Sequence, residues 1–341
     1  MRAPPALPCV AMTPRPGIVS VAIPVRNGGP DLPRLLAAIG AQRVDREVEV
    51  LVADNDSDDG SRAEAERAGA VVIDIPRGEF SHGGTRELLM RRARGEHVAF
   101  LTQDALPAGD GWLAELLAGF EEVPDAGLVY GPYLPRAGAS PMVERELTEF
   151  FHSLAPDGAT RVDRGPARET LRPGPATFYT SANGCVARAA WERVPFRPVS
   201  YAEDQLLAID MLAAGYAKVF RPRAAVIHSH DYPPLERFRR FFDEFRALRE
   251  VYGHVEEAGW PYTPAVVRAG VRRDRAWLRS RGAGGWELDR ATLESLVYHG
   301  SRTAAAILGT RADRIPPGVR RVLSKDGRGG FEPIERSDAP T

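Results

Sequence analysis

Apolar and polar residues alternate in blocks from residue 18 to about 120, and the period of the pattern switches from block to block. IVSVAIPV (18–25) is a short β-branched run that reaches Pro24 and then Asn27-Gly28-Gly29, a strong turn signal. Leu32, Leu35, Leu36 and Ile39 follow at helical spacing. EVEVLVAD (47–54) reads as a second strand, and DSDDGSRAEAERAG (56–69) as a loop and a helix with Gly69 as its C-cap. AVVIDI (70–75) is a third strand and TRELLMRRARG (85–95) a helix closed by Gly95. VAFLT (98–102) is a fourth strand, and WLAELLAGF (112–120) the helix after it. Strand and helix taking turns in this way predict an α/β fold with a parallel, doubly wound sheet, whose ligands sit at the carboxyl ends of the strands. Arg26-Asn27, Asp54-Asn55-Asp56 and Gln103-Asp104 all fall just past such ends.

The second half is less regular. Residues 131–175 are rich in Pro and Gly, with one helical patch at MVERELTEFFHSL (142–154). An ordered block follows: YTSANGCVARAAW, the helical EDQLLAIDMLAAGY (203–216), then KVFRP, and AVIHSH as a strand closed by His228 and His230. From Leu235 to about 309 the pattern is helical in three segments, broken at Gly253, Pro261–Pro264 and Gly282–Gly285. The tail from Gly309 is expected to be loosely held. The expected layout is a leader (1–17), a ligand-binding α/β half (18–130), a second half of the same domain (131–233), a helical region (234–325) and a tail (326–341).

Composition narrows the function. The chain has 341 residues, 43% of them apolar, and a net charge of −1, which gives no footprint for nucleic acid. Two cysteines, Cys9 and Cys185, make neither a disulfide framework nor a zinc cluster and fit a reducing cytosol. The first seventeen residues hold five prolines and no uninterrupted apolar run, which predicts a disordered leader and not a signal peptide. No window approaches the ~20 apolar residues of a spanning helix. Any membrane contact is therefore expected to be peripheral, at the inner face of the plasma membrane.

Four groups of residues carry candidate chemistry. Asp104, alone at a strand end, reads either as a turn residue or as a ligand of a magnesium-type ion, which needs only one or two carboxylates when phosphates and water complete its shell. Glu203 and Asp204 open a helix about 100° apart, so only one can face a given reacting atom. The helix N-terminus favours the ionised carboxylate that a general base requires. His228-Ser229-His230 is an H-x-H pair, on one face if the strand continues, with too few neighbours for a zinc site; each imidazole reads either as a partner of Asp104 and phosphate oxygens on one divalent ion or as a buried, hydrogen-bonded histidine. FSHGGTRE (80–87) is a Gly-rich turn entering a helix with Arg86 in its first turn, suited to an anion such as pyrophosphate or simply a connecting loop. The stripe Leu235, Phe238, Phe241, Phe242, Phe245, Leu248 and Tyr252 is either core packing or an interfacial helix.

In this order, IPVRN, ADNDSDDG, GTR, TQDA, the ED pair and a later His resemble the inverting glycosyltransferases of family 2, with the GT-A fold. FSHGGTR, FLTQDALP, YGPYLPR, AEDQ, HSHDY and RRVLS are similar to the bacterial rhamnosyltransferase-like branch, and the resemblance runs from about residue 18 to 325. It implies that Pro24 and Arg26 line the nucleotide pocket, Asp54 bonds the pyrimidine base, and Arg86 contacts the diphosphate. Thr102-Gln103-Asp104 takes the place of the family's D-x-D, with Asp104 and His228 on a divalent ion (Mn2+ or Mg2+). Asp204 matches the catalytic base, and Glu203 the residue that helps to hold the acceptor.

Thr102 replaces the first Asp of D-x-D, and Glu87 stands where the branch has Asn. Nothing matches the Q-x-x-R-W motif of processive synthases, so one sugar per encounter is expected. The resemblance thus implies transfer from a dTDP- or UDP-sugar, dTDP-rhamnose first, to a glycan or lipid-linked saccharide. The alternatives are a nucleotide-sugar-binding protein without activity, and a sugar nucleotidyltransferase. The latter needs a Gly-rich triphosphate loop after the first strand, and the sequence has none.

Overall fold

The computed structural model of the chain describes residues 11–165, 173–199 and 201–334. Residues 1–10 of the expected leader, with Cys9, and residues 335–341 of the expected tail lie outside them. The described end of the leader is hydrogen-bonded: Met12 and Arg15 donate their N–H groups to the Arg91 and Arg94 carbonyls, each at 2.8 Å.

Two compact units divide the chain. Of the described residues, the first takes those from 11 to 134 and between 151 and 228, and the second takes 135–150 with 229–334.

The first unit is built on strands β1 (Ile18–Val25), β2 (Glu47–Asp54), β3 (Val71–Asp74), β4 (His97–Leu101), β6 (Ala126–Tyr130), β8 (Arg161–Asp163), β9 (Asn183–Ala187) and β10 (Ala217–Phe220). They lie in the order β3-β2-β1-β4-β9-β6-β10-β8. The β1–β2, β1–β4, β2–β3 and β6–β10 pairs are parallel. β9 runs antiparallel to both β4 and β6, and β8 antiparallel to β10, while the strands of the alternating half, residues 18–120, pair parallel as predicted. Strand β9 leads into the short helix α6 (Arg188–Trp191).

Helices α1 (Asp31–Gly40), α2 (Ser61–Arg67), α3 (His82–Arg92), α4 (Trp112–Glu122) and α7 (Glu203–Ala213) connect these strands. Leu32, Leu35, Leu36 and Ile39 of α1 are buried, as their spacing predicts, in one core with Val21, Ile23, Leu101, Trp112 and Leu116. A small second sheet, β5 (Leu106–Pro107), β11 (Val226–Ile227) and β7 (Tyr133–Leu134), lies in the order β5-β11-β7.

The second unit holds the start of α5 (Pro141–Leu154) and helices α8 (Pro234–Tyr252), α9 (Tyr262–Ser280), α10 (Gly285–Gly309) and α11 (Pro317–Leu323). The breaks fall where Gly253, Pro261 and Gly282 predict them. The aromatic stripe of α8 is core: Phe241 and Phe242 pack with Met142, Tyr298 and Ala305, with Phe238 and Phe245 against them. Leu235, at the start of the stripe, is instead 63% exposed. The segment after Gly309 is firmly held, contrary to expectation. Buried Arg320 donates to the Ala312 and Gly329 carbonyls at 2.8 and 2.7 Å. Asp243 of α8 accepts from the Ser324 hydroxyl and the Lys325 N–H at 2.9 and 2.7 Å.

Candidate active site

The carboxyl ends of β1, β2 and β4 form one polar rim. Asp54 closes β2 in register with Val25 of β1, beside the Pro24–Ala53 pair. Asp54 and Asn55 are both buried, and the Oδ1 atom of each has no hydrogen-bond partner among the described residues. Native interiors rarely leave such acceptors unpaired unless a ligand or water completes them. The turn after β1 is braced by the loop after β2. Asn27 N–H donates to Ser57 Oγ, Gly28 N–H to Ser61 Oγ and Gly29 N–H to Asp59 Oδ2, at 2.8–3.0 Å. Exposed Arg26 is fixed through its backbone: the Gln103 amide accepts from its N–H at 2.8 Å and donates to its carbonyl at 3.1 Å. This clamp between β1 and β4 was invisible in the sequence, because Gln103 is an unremarkable polar residue until the strands are side by side.

Thr102-Gln103-Asp104 turns immediately after β4, with Ala105 N–H donating to the Thr102 carbonyl at 3.0 Å. The Thr102 hydroxyl is buried and has no partner among the described residues. Asp104 precedes β5, whose Leu106 pairs with Ile227 of β11, and His228 N–H donates to the Leu134 carbonyl of β7 at 2.9 Å. The small sheet thereby brings His228 Nδ1 to 3.6 Å from Asp104 Oδ1. β11 stops at Ile227, so His228 and His230 follow the strand instead of sharing one of its faces. His228 is set edge-on against Tyr133, ring centroids 4.9 Å apart, and the Tyr133 hydroxyl is bonded to Thr180 Oγ1. His230 belongs to the second unit, where it stacks on Tyr232.

A third cluster joins α3 to α7. Helix α3 starts at His82, three residues earlier than the pattern suggested, because Ser81 caps it by accepting from Gly84 N–H at 3.1 Å. Gly83 N–H donates to the Val199 carbonyl, and Thr85 N–H to the Ser81 carbonyl. The glycine-rich stretch therefore keeps no free N–H at Gly83, Gly84 or Thr85 to cradle a phosphate. Its glycines serve packing: a Cβ on Gly83 would overlap the Arg197 carbonyl oxygen. Gly83→Ala is expected to lower stability by about 1–3 kcal/mol through this overlap, read as a fall in Tm with little change in the shape of the transition.

Arg86, now in the second turn, is 4% exposed and pairs with Glu203 Oε1 at 3.0 Å; Glu203 is itself 4% exposed. Arg86 also donates to the His82 carbonyl at 3.3 Å. Glu203 follows Ala202, a non-glycine residue in the left-handed region (φ 57°, ψ 29°) that turns the chain into α7. Such a conformation is costly for alanine and recurs where a site over-determines the backbone. Asp204 points elsewhere, as the 100° offset requires, accepting from Gln205 N–H at 2.8 Å and Ser181 N–H at 3.3 Å.

The helix N-terminus was expected to keep Asp204 ionised, and the opposite shift is found. Burial first, and the Glu203 carboxylate second, push its pKa up to about 7, against the opposing pull of Arg86 and the two backbone donors. Desolvation outweighs the dipole here. The buried Ser181 and Tyr179 hydroxyls, both without a partner among the described residues, belong to the same region. They escaped the sequence reading because isolated hydroxyls in YTSAN carry no spacing signal.

Residues 20–179 match the model described as glycosyl transferase family 2. This stretch resembles a family 2 glycosyltransferase domain. Among curated proteins, the glycosyltransferase is similar to the O-antigen chain rhamnosyltransferase RfbN of Salmonella typhimurium, 27% identical over 230 residues that cover 66% of this chain and 70% of that protein. It is 30% identical to the O-antigen chain rhamnosyltransferase WbaN of Salmonella anatum over 199 residues, 57% of this chain and 61% of that protein. The chain is thus similar to rhamnosyltransferases, as the motifs implied.

Its fold is that of a solved mannosyltransferase, PcManGT from Pyrobaculum calidifontis in complex with GDP-Man and Mn2+. The two align with a TM-score of 0.56 at 18% identity, covering 91% of this chain and 92% of that one. Asp54, Arg86 and Asp104 lie inside the family-matched stretch; Glu203, Asp204 and His228 lie beyond it. Among the described residues, no helix is long and apolar enough to cross a membrane.

Proposed function

We propose that the enzyme moves one L-rhamnosyl unit from dTDP-rhamnose to a hydroxyl of a glycan or lipid-linked saccharide, inverting the anomeric configuration, with Asp204 as general base. The observation that carries this reading is the state of Asp204, a carboxylate in the first turn of α7, aimed by two backbone N–H groups and poised near neutrality beside the Arg86–Glu203 pair. A base matched to neutral pH in this way is suited to take a hydroxyl proton. The rhamnosyltransferase relatives favour the donor sugar.

In this reading Asp204 accepts the acceptor's proton as that oxygen attacks the anomeric carbon from the face opposite the diphosphate. The bond from that carbon to the diphosphate breaks with its electron pair going to the leaving oxygen, so one displacement inverts the centre. Asp54 Oδ1, buried and unpartnered among the described residues, accepts from the pyrimidine base, and Pro24 and Arg26 line the same pocket. Thr102, in place of a carboxylate, offers its hydroxyl on the ribose side.

Asp104 and His228 offer one oxygen and one nitrogen donor close together, a set that fits Mn2+ or Mg2+ when diphosphate oxygens and water fill the remaining positions. A divalent ion held there supplies charge neutralisation for the departing diphosphate.

A panel of nucleoside-diphosphate sugars tests the reading, with nucleoside diphosphate release measured in Mn2+ and in chelator. Release of dTDP from dTDP-rhamnose, dependent on metal and acceptor, is the expected result. Release of pyrophosphate from a nucleoside triphosphate, or binding without turnover, overturns it.

A further inference from the structure

We propose that Glu203 is a positioning residue that holds the Arg86 guanidinium for the donor's diphosphate, and that it does not grip the acceptor. The inference rests on the proposed function for the identity of the donor, and it replaces the acceptor role that the family resemblance implied for Glu203.

Three observations carry it. First, Glu203 is already engaged: one of its carboxylate oxygens pairs with the Arg86 guanidinium at 3.0 Å. Second, Arg86 is held on one side only. Its Nη1 is directed at Glu203 and at the His82 carbonyl, while its buried Nε–H has no partner among the described residues. A guanidinium anchored by one edge with a donor left over is arranged to take further oxygens in its plane, as a diphosphate supplies. Third, the backbone N–H groups of Gly83, Gly84 and Thr85 are all committed within the protein. Anion binding at this helix start therefore falls to the Arg86 side chain, and its placement to Glu203.

The pair also governs the base. Asp204 is faced by Glu203 on its own helix, by Arg86 from α3 and by the Tyr179 phenol ahead of β9. Glu203 raises its proton affinity and Arg86 lowers it. Donor binding and proton abstraction thus share one buried ion pair. When the diphosphate draws on Arg86, the guanidinium offsets Asp204 less, and Asp204 becomes the stronger base as the donor arrives.

A double-mutant cycle on dTDP binding, measured by calorimetry with Mn2+ present, tests this. Glu203→Gln and Arg86→Gln are each expected to weaken dTDP by about 10- to 100-fold, the size of a lost charge-assisted hydrogen bond. The double variant is expected to be no weaker than Arg86→Gln alone, since Glu203 acts through Arg86. Thymidine, which lacks the diphosphate, should bind all four proteins equally and so reports that each is folded. In turnover, Glu203→Gln should raise the KM for dTDP-rhamnose and not that for the acceptor. Its kcat/KM profile should move to lower pH, and that of Arg86→Gln to higher pH. Additive losses, a raised acceptor KM alone, or unchanged dTDP affinity in Glu203→Gln overturn the positioning role while leaving the proposed function intact. If wild-type enzyme binds thymidine but not dTDP, the proposed function falls, and this inference with it.

Discussion

Asp204→Asn is expected to slow rhamnosyl transfer by about 10²- to 10⁴-fold, the usual worth of a positioned general base, while dTDP affinity stays within about twofold. Asparagine keeps the shape of the side chain, and its oxygen still accepts from Gln205 or Ser181, so the loss isolates proton transfer from architecture. The wild-type pH profile gives a second reading of the same residue. The carboxylate accepts a proton only when ionised, and burial together with Glu203 raises its pKa to about 7. Activity should therefore fall as pH drops below about 7, tenfold per unit once protonation dominates, and level off above it. The acid limb should vanish in Asp204→Asn. A variant with near-wild-type turnover, or a limb that persists in it, would remove Asp204 from the chemistry.

The second large effect is expected at the pair formed by Asp104 and His228. If both hold one divalent ion, Asp104→Ala and His228→Ala should each lower transfer by at least ~100-fold at low Mn2+, because the ion offsets several kcal/mol of charge on the leaving diphosphate. The two losses should not add, since removing either ligand already disables the site. Excess Mn2+ should restore part of the activity in His228→Ala, where the carboxylate remains, and less in Asp104→Ala. Mn2+ binding followed by electron paramagnetic resonance checks the same point without turnover. Two variants that bind Mn2+ as wild type would show that the proximity at 3.6 Å is structural.

The two expectations draw differently on the sequence. The strands β1, β2 and β4 and the helix α1 were legible because each is a run of more than four residues with a clean period, bounded by turn residues. Asp54 and Asp104 were legible for the same reason, since they close such runs. The start of α3 was misplaced because glycines argue against helix, and only the packing of Gly83 on the Arg197 carbonyl explains why they are inside one. The α8 stripe was legible as apolar but not as core or surface, because periodicity fixes a face and says nothing about what covers it. The segment after Gly309 was read as loose from its Arg, Pro and Gly content. The partners that hold it, Asp243 and the Ala312 and Gly329 carbonyls, come from α8 and from the segment's own folding back.

By itself, then, the sequence determined an α/β fold with candidate residues at strand ends, and its ordered motifs named the family, because strand ends and helix starts are local features. Tertiary structure alone decided which of those residues meet. Asp104 reaches His228 through the antiparallel β5–β11 pair, and Arg86 reaches Glu203 because α3 and α7 begin side by side. It also reversed the sign of the Asp204 shift. A helix N-terminus is written in the chain and favours charge, whereas the burial that disfavours charge depends on neighbours distant in sequence, and here burial is the larger effect.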